Sequence, residues 1–184
     1  GVVQAGGSQI VNQGGNILVA AVQGAVNQAN GAHLQATGDV IVTAQGDIGV
    51  SSMVTVTGDA GLSSVAGSII DTASGGEGTN IQAQQLTLSA PGQIGGIGDG
   101  DLDMNVVTLN MPDTVSGNVY LQEQNDLVVI AMSSDSDIAL VVGGDLTLTD
   151  IISPNEISLS IGGAISNDGY IAAQDLMVTA AGAI

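Results

Sequence analysis

The sequence predicts an all-β chain wound as a parallel β-helix, roughly eight coils of 20–25 residues. Three observations carry that expectation. Short apolar runs alternate residue by residue with polar ones, a Gly-led phrase returns at coil-sized intervals, and the apolar residues are almost wholly aliphatic.

The alternation is seen at Val40, Val42 and Ala44, at Leu86, Leu88 and Ala90, and at Leu176, Val178 and Ala180. A period of two sends one set of side chains inward and leaves Thr, Ser, Gln and Asp outward, as in a half-buried strand. The runs are short and are punctuated by Asn, Asp and 28 Gly, residues that tolerate the backbone of tight corners. Helical spacing is not sustained anywhere, and the Ala-containing stretch Val19 to Val26 is too short and Gly-interrupted to form a helix.

The phrase is Gly, a small or polar residue, an aliphatic, any residue, an aliphatic. It reads GNILV from Gly15, GDVIV from Gly38, GNVYL from Gly117 and GDLTL from Gly144, with degenerate copies GSIID from Gly67 and GAISN from Gly163. Successive starts lie roughly 20–30 residues apart, the size of one solenoid coil. The exception is the step from Gly67 to Gly117, which has room for a missed turn near Leu86 to Leu88. A longer echo aligns IQAQQLTLSAPGQI (Ile81 to Ile94) with IAAQDLMVTAAGAI (Ile171 to Ile184), sharing seven of 14 positions without a gap. VIVTAQGDI, Val40 to Ile48, matches the end of the same pattern.

The interior has to be thin. Among 184 residues, 44% are hydrophobic, yet there is no Phe, Trp or Cys and only two Tyr, Tyr120 and Tyr170. A globule of one domain's size ordinarily spans its layers with aromatic rings, whereas stacked aliphatics fill a narrow solenoid. Tandem Ig-like sandwiches are the competing architecture, since the long echo is near their size. The shorter echo and the absence of a core Trp weigh against them.

With these phrases in view, GDVIVTAQGDIG, IQAQQLTLSAPGQIG, GNVYLQEQNDLVV and GDLTL resemble the repeats of filamentous-haemagglutinin-like giant bacterial adhesins, over Gly15 to Ile184. The resemblance implies a right-handed parallel β-helix presented outside the cell, with a structural or adhesive role and no catalytic residues. The chain departs from that pattern in having no Lys and no Arg, which such repeats usually carry on their outer faces. Its final AAGAI stops one residue short of the AQGDIG and APGQIG phrases, and the missing residue is the Gly with which it starts. Residues 1–184 are therefore expected to be a single β-solenoid segment, one unit of a longer or end-to-end stacked array. Its partners would be copies of itself or flanking repeats, together with a surface receptor that the sequence does not identify.

Charge narrows the function further. Eighteen Asp and Glu face no Lys or Arg, for a formal charge of -18. No cation is present to neutralise phosphates, which excludes nucleic acid and anionic membrane surfaces. No run of apolar residues is long enough to span a bilayer, so membrane insertion is not expected. Carboxylates in such number must be kept apart, screened, protonated or bound by cations. A saline, acidic or calcium-containing exterior suits such a chain.

An enzyme is not expected. His33 is the single histidine, and Cys and Lys are absent, so most general-base and nucleophile arrangements are ruled out by subtraction. A paired-carboxylate glycosidase is the one remaining catalytic class, although the chain has little with which to grip a sugar. His33, after Asn30-Gly31, is expected in a turn leading into a strand. The densest carboxylate group is GGIGDGDLD, where Asp99, Asp101 and Asp103 alternate with Gly and Leu. Such spacing suits either an exposed acidic loop or a calcium site. SSDSD at Ser133 to Asp137 has the same two readings.

Overall fold

The computed structural model describes residues 1–74 and 78–184. Among these residues every strand pairing is parallel and there is no helix. The Ig-like alternative, which needs antiparallel neighbours, is thereby removed. The chain is a parallel β-solenoid.

One column of inward side chains counts the windings. Val2, Val26, Ile48, Ile69, Ile94, Val119, Ile138, Ile157 and Leu176 lie successively over one another. That makes about nine windings, more than the sequence suggests, because the later ones are short. Each step from Val2 to Val119 takes about 21–25 residues and each from Val119 to Leu176 about 19, near the small end of solenoid repeats. At a strand spacing of about 4.8 Å, nine windings make a rod some 40 Å long.

The wide windings have three faces. The first holds Val2–Gln4, Val26–Gln28, Ile48–Val50 and Ile69–Asp71. The second holds Gln9–Asn12, His33–Ala36 and Met53–Thr55, and the third Ile17–Ala21, Val40–Ala44 and Ala60–Ser64. Ile81–Ser89 and Leu102–Asn110 each run across the second and third faces.

The narrow windings close differently. Val119–Glu123, Ile138–Val142, Glu156–Ile161 and Asp175–Ala180 each cover what were the first and second faces. Leu127–Ser133, Leu146–Ile152 and Ile165–Ala172 continue the third face and then bend, with register shifts at Leu109/Asn110 and Leu148/Asp150.

Burial follows the expected alternation. Val40, Val42 and Ala44 are buried while Ile41 faces out, and Leu86, Leu88 and Ala90 repeat the pattern. The largest fully buried side chains, from Leu34 to Leu109, are all Leu, Ile or Met. Ladders such as Val42, Leu62, Leu88 and Leu121, Leu140, Leu159 form a continuous aliphatic interior.

The geometry also accounts for the uneven phrase intervals. Gly15, Gly38, Gly144 and Gly163 stand at the corner entering the third face, whereas Gly67 and Gly117 stand at the corner entering the first. The long echo crosses faces as well. Leu86 lies in the third-face column, but its counterpart Leu176 lies under Ile157 in the first. By contrast, Ile48 and Ile94 share one column. Strand and corner grammar is the same on every face, so sequence likeness marks a corner without saying which one.

Candidate functional site

The carboxylates are concentrated at the corners, and there they hold the windings to one another. Asn16 Oδ1 accepts the Asp39 N–H at 2.9 Å, Asp39 Oδ1 that of Asp59 at 3.0 Å, and Asp59 Oδ1 that of Gln85 at 3.2 Å. In the narrow windings Asp126 Oδ1 accepts the Asp145 N–H and Asp145 Oδ1 the Ala164 N–H, each at 2.8 Å. Along another edge Asp47 Oδ1 accepts the Ser68 N–H at 2.8 Å. A corner peptide group has left the strand ladder and needs a partner. A short Asp or Asn one winding away supplies it, and where the acceptor is Asp the bond is strengthened by charge.

The Gly95 to Asp103 stretch is divided between two environments. Gly95 and Gly98 have φ of 68° and 64°, a left-handed backbone that favours glycine, and they shape a protruding turn in which the Asp101 N–H bonds the Gly98 carbonyl at 3.0 Å. Asp99 is exposed on this turn. Asp103 is already inside Leu102–Asn110, is 4% exposed, and accepts the Gln122 Nε2–H at 3.0 Å while its own N–H bonds Asn80 Oδ1 at 2.8 Å. Among the described residues no three His, Cys, Asp or Glu side chains are placed together to hold a metal ion.

Ser133 to Asp137 forms another corner. The buried Ser134 hydroxyl donates to the Gly117 carbonyl at 2.7 Å and accepts the Ser136 N–H at 2.9 Å. Asn118 Oδ1 accepts the Asp137 N–H at 3.2 Å. His33 opens its strand, half-buried, with Nδ1 2.8 Å from the Ser52 hydroxyl. Among the described residues neither place gathers three His, Cys, Asp or Glu side chains.

Surface grooves run between the windings on the third-face side. One, bounded by Ser133, Asp135, Ser153 and Gln174, has a single carboxylate. A second contains Asp113 alone, and a third, lined by Ala21, Val22, Thr43 and Val65, contains none. A glycosidase needs two carboxyl groups facing one another across the substrate, and none of these grooves has the pair.

One functional group escaped sequence inspection. Glu123 is 1% exposed, in the inward column between Met104 and Val142. Its Oε2 accepts the Val106 N–H at 2.8 Å and its Oε1 the Asn125 N–H at 3.0 Å. Burial pushes this carboxyl above its ordinary value, and the Val106, Asn125 and Gln124 N–H groups offset part of that rise. The signal was present in the alternation, which puts position 123 inward after Val119 and Leu121.

No family model, no curated protein and no solved structure matches this chain. No helix among the described residues is long and apolar enough to cross a membrane.

Proposed function

We propose that this chain is a structural, non-catalytic rod segment of an extracellular bacterial surface protein or fibre, which extends and presents adhesive elements. The observation that carries this reading is the use made of the polar groups. Corner carboxylates such as Asp39, Asp59, Asp126 and Asp145 bind peptide groups of the neighbouring winding. The chain's chemistry is directed along the rod axis, toward cohesion, and not into a shared cleft. An acidic, Lys- and Arg-free surface also offers trypsin-like proteases no cleavage site, which suits exposure outside the cell. The resemblance to filamentous-haemagglutinin-like repeats agrees with such a role.

A self-assembling filament is the second reading, favoured by the state of the terminal edges. The inward side chains of the two terminal windings, Val2 and Leu176, are 37% and 51% exposed where their neighbours Val26 and Ile157 are buried, and strand edges of this kind accept another strand. Further windings of a longer chain would cover them equally well.

Antibody against this segment should label intact cells of the source organism. Labelling only after permeabilisation would overturn the surface assignment. Electron microscopy of the purified segment divides the two readings: single rods of about 40 Å support a spacer, and long fibres of the same width support a filament subunit.

A further inference from the structure

Wide and narrow windings meet at Leu102–Asn110, and the junction leaves a gap in the backbone ladder. This strand pairs with the next winding at Leu102, Asp103 and Met104, and again from Thr108 onward. Asn105, Val106 and Val107 have no paired residue there, because the narrow winding has already turned the corner at Gln124 to Asp126. Val106 is buried, at 3% exposure, so its peptide N–H needs a partner inside the protein. The Glu123 carboxylate is that partner, and it stands where a strand carbonyl would otherwise be. Through its other oxygen it also holds the Asn125 N–H, which pins the corner of the narrow winding.

The position is an unusual one for a carboxylate. The column continues as Ile81, Met104, Glu123, Val142 and Ile161, so the charge is placed among aliphatics. No counter-ion is at hand in a chain without Lys or Arg. Leu102–Asn110 contributes one other carboxylate, Asp103, which is turned toward Gln122. The following corner contributes Asp126, turned toward the Asp145 N–H. Ile138–Val142, Leu127–Ser133 and Ile81–Ser89 contribute no titratable side chain.

We propose that Glu123 is a proton-operated clamp on the joint between the wide and narrow windings, one that tightens as the surroundings turn acid. Proton uptake removes the uncompensated buried charge, and the neutral carboxyl keeps a carbonyl oxygen for the Val106 N–H. It presents a hydroxyl oxygen, a weaker acceptor, to the Asn125 N–H, a loss smaller than the relief of the buried charge. The sign follows from burial. A carboxyl raised above its ordinary value of 4.5 binds its proton more tightly folded than unfolded. Its contribution to stability is complete below that value and is lost as pH rises through the folded one. The clamp is independent of what the rod carries, and failure of the surface assignment would leave it untouched.

The test is a pH titration of the intact chain by NMR, reading the Glu123 side-chain carboxyl together with the Val106 and Asn125 amides. All three should shift with one common midpoint above 4.5. Hydrogen exchange should slow at the joint as pH falls, after correction for intrinsic rates, by about tenfold per unit that the midpoint exceeds 4.5. Glu123→Gln should abolish the midpoint at both amides, while Asp126→Asn, which removes a neighbouring exposed carboxylate, should leave it in place. A Glu123 midpoint at or below 4.5 would overturn the proposal, as would an amide midpoint that survives in Glu123→Gln. If Glu123→Gln does not fold, the carboxyl signal of the unaltered chain decides by the same criterion.

Discussion

The winding from Ile94 to Val119 is nearly a third longer than the one from Val119 to Ile138, yet both contribute one aliphatic to the same column. Residues are saved at the corner between the first and second faces, where the wide windings turn and the narrow ones run straight through Val119–Glu123. That corner has to be satisfied by side chains. Gln28 Oε1 accepts the Ser51 N–H, Asn80 Oδ1 accepts the Asp103 N–H, and Gln28, Ser51 and Asn80 are all buried. The narrow windings replace them with direct strand pairing across Leu121, Gln122 and Glu123. Winding size in this solenoid is set by which peptide groups a corner strands and by what is available to satisfy them.

Cavities should separate the halves most sharply. Leu62 lies between Val42 and Leu88 in the wide half, and Leu140 between Leu121 and Leu159 in the narrow half, all six of them buried. Truncating either to Ala should cost about 2–5 kcal/mol. Leu140→Ala should cost the more, because each inward side chain fills a larger share of a smaller cross-section. Chemical denaturation of the two variants, with unchanged m-values, measures this. Equal losses would mean that both halves relax around a void to the same degree.

Corner glycines come next. A Cβ at Gly163 would fall on Asp145 Oδ1 and 2.9 Å from the Asp145 nitrogen, whereas a Cβ at Gly14 would meet nothing within 4 Å. Gly163→Ala should therefore destabilise by about 1–3 kcal/mol. Gly14→Ala should be neutral or stabilise by up to about 1 kcal/mol through the unfolded chain. Thermal melts of the pair test whether the cost comes from the preceding winding stacked against Gly163, which Gly14 in the first winding lacks.

Mechanical unfolding reads winding size directly. At about 3.4 Å per extended residue, pulling should release some 65 Å per narrow winding and about 85 Å for a winding such as Ile94 to Val119. A single population of contour increments would contradict the change of cross-section.

The alternation at Val40 to Ala44 and at Leu86 to Ala90 was enough to predict strands, inward faces and a stacked aliphatic core. Register was harder to see, because the phrase at Gly67 and the phrase at Gly144 are alike although they open different faces. A corner is chosen by the winding before it, through contacts a full turn of the chain away that no local motif records. The same non-locality hid the joint. The Glu123 carboxylate is explained only by the Val106 N–H, which belongs to the preceding winding. Asp99, Asp101 and Asp103 are close in sequence, but the strand that begins at Leu102 takes Asp103 out of their loop.

The smallest expected effect concerns the stacked corner carboxylates. Asp126 and Asp145 occupy equivalent corners of successive windings, about 4.8 Å apart by strand spacing. Two full charges at that distance in water repel by about 1 kcal/mol before screening. Asp145 Oδ1 nevertheless accepts the Ala164 N–H at 2.8 Å, and an amide oxygen would do so too. Asp145→Asn therefore exchanges a charge-assisted bond for a neutral one while relieving repulsion. It should stabilise by a few tenths of a kcal/mol in low salt and by less as salt rises, since the screening length falls to about 10 Å at 0.1 M. The wide half offers the matching measurement at Asp39, whose Oδ1 accepts the Asp59 N–H and whose Oδ2 is bonded by Asn16 Nδ2 at 3.2 Å. Asp39, like Asp145, has one carboxylate neighbour, Asp59, but it also accepts the Asn16 Nδ2–H, and an amide there weakens that charge-assisted bond as well. Asp39→Asn should therefore gain less than Asp145→Asn. Melting temperatures of both variants across a salt series check the order; an equal or larger gain at Asp39 would mean that the Asn16 bond contributes little and that charge repulsion dominates these corners.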